Sequence, residues 1–239
     1  MSIENEVTNG ITTNKNELRA TLAMCVHCFD EIIQELQRSA SHHKPSLFDG
    51  IPDHIQCPLF ITWDKKHRSK FSLRGCIGTL SPRPLKKSLG EYAKTSAFHD
   101  HRFGPIKASE LFLLRVGVSL LVNYESCENC FDWEVGKHGI IIKFYYSGGH
   151  YEGTFLPEVC VQQSWTQQET VAHLVRKAGY EGGTSNDLLS SIKCSRYQSS
   201  KYQLTYDEYV KVVGRNPLNE EVNKEELNKK NLWPFSGSS

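Results

Sequence analysis

Residues 58–80 read PLFITWDKKHRSKFSLRGCIGTL. Two segments in it, Leu59 to Trp63 and Lys70 to Ile77, carry apolar and polar residues in alternation, the period of a half-buried strand. The charged run DKKHRS between them reads as a loop, so the stretch predicts a β-hairpin. A lone hairpin cannot bury its apolar face in water, so at least one later strand must pair with it. The second segment holds the hexamer Arg74-Gly75-Cys76-Ile77-Gly78-Thr79, a thiol between glycines with an arginine close by. Pro82 and Pro84 end the run.

Working outward, Val116, Val118, Leu120 and Val122 alternate with Gly117, Ser119 and Leu121, and supply the later strand. Residues 139–146 and 151–156 flank SGGH, whose Gly148 and Gly149 suit a hairpin turn. The rest is helical or turn-rich. Over 15–38 the apolar residues Leu18, Leu22, Cys25, Phe29, Ile32 or Ile33, and Leu36 fall on one helix face. Another helix is expected after Pro84, with Leu85, Leu89, Tyr92 and Ser96 on one side. Thr166–Glu169 and Thr205–Glu208 are capping boxes, and Gly179 and Gly214 stand where those helices end. A short helix near 187–191 and a strand near 192–197 lie between them. Hairpins and helices are interspersed without a βαβα rhythm, which predicts an α+β fold.

Composition narrows the function. The 239 residues carry 28 Lys+Arg against 27 Asp+Glu, a net charge of +1. An even balance argues against a duplex nucleic-acid binder. Arg196, Tyr197, Lys201 and Tyr202 form one short basic-aromatic group. The apolar run LFLLRVGVSLLV at 111–122 is too short to span a bilayer. The opening MSIENEVTNG lacks the basic and apolar regions of a signal peptide. The eight cysteines therefore read as thiols in a reducing compartment. Two pairs have the CxxC spacing. Cys25/Cys28 lies inside the first helix, where no zinc knuckle can form, and Cys127/Cys130 lies in a polar loop. No metal and no cofactor is expected. The nucleotide-loop and zinc-protease motifs are missing from the sequence.

Two readings of Cys76 stand side by side. As a nucleophile it would draw on Arg74, which shares its face on an ideal strand, and on a base. His99, His101 and His138 are the histidine candidates, with Asp100, Asp132 and Glu134 as possible orienting groups. As a structural residue it would fill space under a helix, with Gly75 and Gly78 providing close backbone approach. Arg83, Lys86 and Lys87 make a basic cluster at a helix start that reads as a solvated end.

The strings LRGCIGTL (73–80), TSAFHDHRFGPI (95–106), FDWEVGKHGI (131–140), TFLPEV (154–159), LVRKAGY (174–180) and SRYQSSKYQLTYDEY (195–209) occur in one order. Together they resemble the AMMECR family. The Cys-rich helix CVHCFD and the HGI after DWEVGK resemble its animal branch. The resemblance covers about residues 15–212, leaving a polar arm at 1–14 and a polar tail at 213–239. It implies two subdomains of hairpin-rich antiparallel sheet covered by helices, the larger built from early and late segments. It also implies an intracellular protein, in cytoplasm, nucleus or both and not secreted. Prokaryotic relatives occur with Memo-type and radical-SAM proteins, which implies a protein partner of the Memo type. No membrane or nucleic-acid partner is expected. The motif residues it singles out are Gly75, Cys76, Gly78, Thr79, Asp100 and Arg102. The reading adopted is a binding or regulatory domain. The alternative is an enzyme or enzyme subunit with Cys76 as reactive thiol and Arg74 beside it.

Overall fold

The computed structural model describes residues 18–37, 51 and 54–214. The arm at 1–14, and all of the expected tail beyond Gly214, lie outside the described residues.

The hairpin is formed by β1 (Gln56–His67) and β2 (Lys70–Pro84), antiparallel, with Ile61 opposite Ile77 and Thr62 opposite Cys76. Its turn is only Arg68 and Ser69, with φ +55° at Arg68. The charged run expected to loop is therefore mostly strand. Its charges have partners on neighbouring elements: Lys65 Nζ lies 2.7 Å from Glu110 and Asp64 lies 2.8 Å from Arg115. Strand β2 also continues through Pro82 to Pro84, beyond the expected stop. It is an edge strand, where proline's missing N–H leaves no ladder bond unmade.

β1 pairs with β3 (Leu114–Ser126), which pairs with β6 (Lys193–Thr205). β4 (Gly139–Tyr146) and β5 (Gly149–Phe155) complete one antiparallel sheet of order β2-β1-β3-β6-β4-β5. The β4–β5 turn, Ser147-Gly148, takes positive φ at both residues, as a two-residue hairpin turn requires. β6 is twice the expected length, because its polar second half is paired along β3.

The helices are α1 (Leu22–Gln37), α2 (Leu85–Phe98), α3 (Pro157–Gln163), α4 (Gln167–Lys177), α5 (Asn186–Ser191) and α6 (Tyr206–Val213). A 3-10 helix over Ala108–Leu113 leads into β3. Both capping boxes form as expected, and α6 ends at Gly214 with φ +67°. Helix α3 was not anticipated; it is short, and Pro157 opens it at a position where proline is tolerated.

Two apolar cores rest on this single sheet. The larger joins Leu59, Ile61 and Trp63 of β1, Val116, Val118 and Leu120 of β3, α1, α2, and the late residues Leu204, Tyr206 and Tyr209. Its centre is Phe29, whose ring meets Trp63 edge-on at 5.2 Å. The smaller core joins Ile140, Ile142 and Phe144 of β4 to Val171, Leu174, Val175 and Leu188. β6 feeds both, through Leu204 at one end and Cys194 at the other. The fold is α+β, with the larger unit assembled from early and late segments.

Strand alternation puts a second set of residues on the sheet's other face. Cys76, Thr62, Gly117 and Gln203 form one cross-strand row, and Gly78, Phe60, Ser119 and Lys201 form the next. Leu121 and Tyr197, farther along this face, are buried yet belong to neither core.

Candidate functional site

Because β2 is an edge strand, every second residue turns its main-chain N–H and C=O away from β1. Cys76 is one of these. Its N–H donates to Asp100 Oδ2 at 2.9 Å, and its carbonyl accepts from the Arg102 guanidinium at 3.0 Å. Asp100 and Arg102 also bind each other, at 2.7 Å between Oδ2 and the guanidinium and 2.9 Å from Nε to Oδ1. The pair takes the place that the next strand's peptide group would occupy: carboxylate for carbonyl, guanidinium for amide N–H. Asp100 is only 5% exposed. Arg102 holds its carboxyl well below the usual range, against burial, with help from the N–H groups of Cys76 and Arg102. The pair therefore binds the edge strand as well as itself.

The loop that brings Asp100 there follows directly from α2. His99 closes the helix by donating its N–H to Thr95, and Ile106 returns its N–H to Ala97 and buries its side chain in the larger core. α2 can lie this close to β2 because residue 75 is glycine. A Cβ on Gly75 would stand 2.1 Å from the Ser96 carbonyl oxygen. A Cβ on Gly78 would meet the Leu59 carbonyl at 2.3 Å and the Phe60 ring at 2.5 Å. The Thr79 hydroxyl accepts from the Ser81 N–H at 3.1 Å, in the irregular stretch of β2 where the register shifts.

The Cys76 thiol is half-buried and faces the Thr62 hydroxyl at 3.3 Å. Burial pushes the thiol up from its ordinary value. The Thr62 hydrogen bond and the charges of Arg102 and Lys201 act the other way, and Asp100 adds to the rise. Arg74 does not join it. A register shift between Trp63 and Asp64 leaves Arg74 as the unpaired residue of a bulge, directed away from Cys76. Its guanidinium grips both carboxylate oxygens of Glu110 at 3.1 Å and reaches the carbonyls of Gly104 at 2.7 Å and Pro105 at 3.1 Å. Burial alone would raise the Glu110 carboxyl, but Arg74 and Lys65 outweigh it and hold it at about 2.

Among the described residues no histidine hydrogen-bonds Cys76. His99 and His101 are exposed, and His138 is a buried turn residue whose Nδ1 accepts the Glu134 N–H at 3.0 Å. Asp132 and Glu134 are engaged elsewhere, with Arg196 and Lys137, each at 2.7 Å. The basic-aromatic group on β6 is divided between the two faces of the strand. Arg196 is held by Glu125 and Asp132, and Lys201 lies 3.7 Å from Glu158. Of the basic cluster at the start of α2, Lys87 pairs with Glu91 at 3.4 Å. Both CxxC pairs are free thiols, and no group of three or more metal-ligating side chains is arranged around a metal position among the described residues. Among the same residues no helix is long and apolar enough to cross a membrane.

The structure thus gathers Gly75, Cys76, Gly78, Asp100 and Arg102 into one locus and places Arg74 in an adjoining one. Thr62, Gly117, Lys201 and Gln203 share the face of Cys76, a grouping that the sequence reading does not make. Strand parity alone would have put Thr62 there; the β6 residues needed the β3–β6 register.

A family model described as AMMECR1 matches residues 9–202. An uncharacterised protein of Arabidopsis thaliana is 41% identical over 197 residues, which cover 81% of this chain and 89% of that one. One from Schizosaccharomyces pombe is 38% identical over 186 residues, covering 78% and 93%. The crystal structure of an uncharacterised protein from Pyrococcus horikoshii is similar with a TM-score of 0.60 at 27% identity, covering 75% of this chain and 89% of that one.

Proposed function

The chain belongs to the AMMECR1 family, and from that premise we propose that it is an intracellular binding or regulatory domain whose contact surface is the sheet face around Cys76. The observation that carries this reading is the way Cys76 is held. Its main chain is fixed by Asp100 and Arg102, its thiol is raised by burial, and its side-chain partner is a threonine rather than a base. A thiol nucleophile needs the opposite: a lowered pKa and a base in hydrogen-bond reach. The neighbours on this face are Thr62, Gly78, Gly117 and Ser119, with the Phe60 ring against Gly78 and the Gln203 and Lys201 side chains against Gly117. A partner on this face would meet the Phe60 ring, the Gln203 amide and the Lys201 ammonium beside the Cys76 edge. The family analogy points to a Memo-type protein as that partner.

The test is a site-resolved iodoacetamide time course on the folded protein across pH, with a binding assay of Cys76→Ala against a purified Memo-type protein. The reading expects Cys76 to label with a midpoint above that of a free thiol, and Cys76→Ala to bind as wild type does. One observation favours a thiol enzyme instead: Thr62, Arg102 and Lys201 all act on the sulfur in the activating direction. A labelling midpoint below the free-thiol range, with binding intact and a group transferred to Cys76, would replace the first reading by the second.

A further inference from the structure

Of the eight cysteines, six are buried and two, Cys76 and Cys127, are half-buried. The buried ones are mostly spoken for: Cys28 reaches the Leu89 carbonyl at 3.9 Å, Cys57 the Leu121 carbonyl at 3.5 Å and Cys160 the Pro157 carbonyl at 3.3 Å. Of the two reachable thiols, Cys76 faces a hydroxyl. Cys127 faces another thiol. Ser126 pairs with Ser195 at the end of the β3–β6 ladder, and one residue further the Cys127 N–H donates to the Cys194 carbonyl at 3.0 Å. Directly opposed residues of antiparallel strands project to the same side with Cα atoms about 4.5–5.5 Å apart, inside the range of about 4.4–6.8 Å that a disulfide spans. The two thiols also act on each other's titration, Cys194 lowering Cys127 and Cys127 raising Cys194.

We propose that Cys127 and Cys194 are a redox-modifiable dithiol, which a low-molecular-weight disulfide of the glutathione type converts into a cross-strand disulfide. Cys127 is the entry point, since it lies in the polar 123–129 run and is reachable from solvent. Its thiolate attacks the small disulfide, forming a mixed disulfide and expelling one thiolate, which takes up the proton Cys127 gave up. The Cys194 thiolate then attacks the Cys127 sulfur and expels the second small thiol. Two protein thiols are oxidised, one small disulfide is reduced to two thiols, and atoms and electrons balance. Burial lifts both cysteines, so the exchange runs faster on the alkaline side. The bond would staple the far end of β3 just past its register shift between Val122 and Glu125, where Asn123 takes φ +54°.

The experiment incubates the reduced full chain with excess oxidised glutathione at mildly alkaline pH, followed by intact mass and peptide mapping. The expected product is lighter by two hydrogen masses, joins the Cys127 and Cys194 peptides, and reverts with dithiothreitol. Cys194→Ser should stop at glutathionylated Cys127. Cys127→Ser changes a half-buried side chain, keeps the test valid if the buried variant folds poorly, and should abolish the cross-link. A Cys127–Cys130 bridge, a mixed disulfide that persists on wild-type Cys127, or unreacted Cys127 beside modified Cys76 would each overturn the proposal.

Discussion

Asp100 Oδ2 accepts the main-chain N–H of Cys76 at 2.9 Å, and so closes the edge of the sheet at the one residue that bears the reachable thiol of the hexamer. Removing that acceptor strands a partly buried N–H and releases Arg102 from its carboxylate. Asp100→Ala should cost about 1–3 kcal/mol, the usual price of an unsatisfied buried group. It should also speed amide exchange at Cys76. Asp100→Asn keeps an acceptor and should lose less. Unchanged exchange at Cys76 in the alanine variant would show that the edge is closed by something else.

The glycines of the hexamer should prove less replaceable than its cysteine. Gly75→Ala drives a methyl into the Ser96 carbonyl, and Gly78→Ala into Leu59 and the Phe60 ring. Each should destabilise by about 3 kcal/mol, the upper end of overpacking costs. Cys76→Ser finds the Thr62 hydroxyl as partner and should cost about 1 kcal/mol. Urea midpoints of the three variants decide the order, and a Cys76→Ser loss exceeding either glycine variant would refute it.

Phe29 is wholly buried and its ring lies 5.2 Å from Trp63, 5.8 Å from Tyr206 and 5.0 Å from Tyr209. Phe29→Ala should cost about 3–5 kcal/mol, the range for truncating a core aromatic. A melting temperature within error of wild type would mean that α1 does not anchor the larger core.

Glu110 supplies an acid-side signature. Arg74 and Lys65 depress its carboxyl from 4.5 to about 2, so its stabilisation is fully present above the unfolded value and is lost as pH falls through about 2. The melting temperature of wild type should exceed that of Glu110→Gln above pH 4.5, with the gap closing as the pH approaches 2. A gap that stayed constant across this range would remove the ion pair as its cause.

Much of this architecture is written in local pattern. The alternation in Leu59–Trp63 and Val116–Val122, the stripe on α1 and both capping boxes are set by neighbours within a few residues, so periodicity reveals them. What stayed hidden depends on partners far along the chain. The run DKKH is strand because Glu110 and Arg115 neutralise two of its charges. Arg74 and Cys76 would share a face on a regular strand, and a single bulge separates them. Asp100 and Arg102 stand out as a motif, yet their task depends on β2 being an outermost strand, a property of topology that no local window contains.

The larger core also dictates an order of events during synthesis. Asp30, early in the chain, holds the Tyr209 hydroxyl at 2.7 Å across 179 residues, and Phe29 beside it needs Tyr206 and Tyr209 as neighbours. The buried residues of the smaller core all lie between the end of β3 and Cys194, the second residue of β6. A ribosome must therefore release that whole unit, and α6 after it, before the first helix gains its last contacts. Until then α1 presents an unfinished apolar surface to the cell, and the nascent chain depends on rapid completion or on a chaperone to keep that surface from foreign partners.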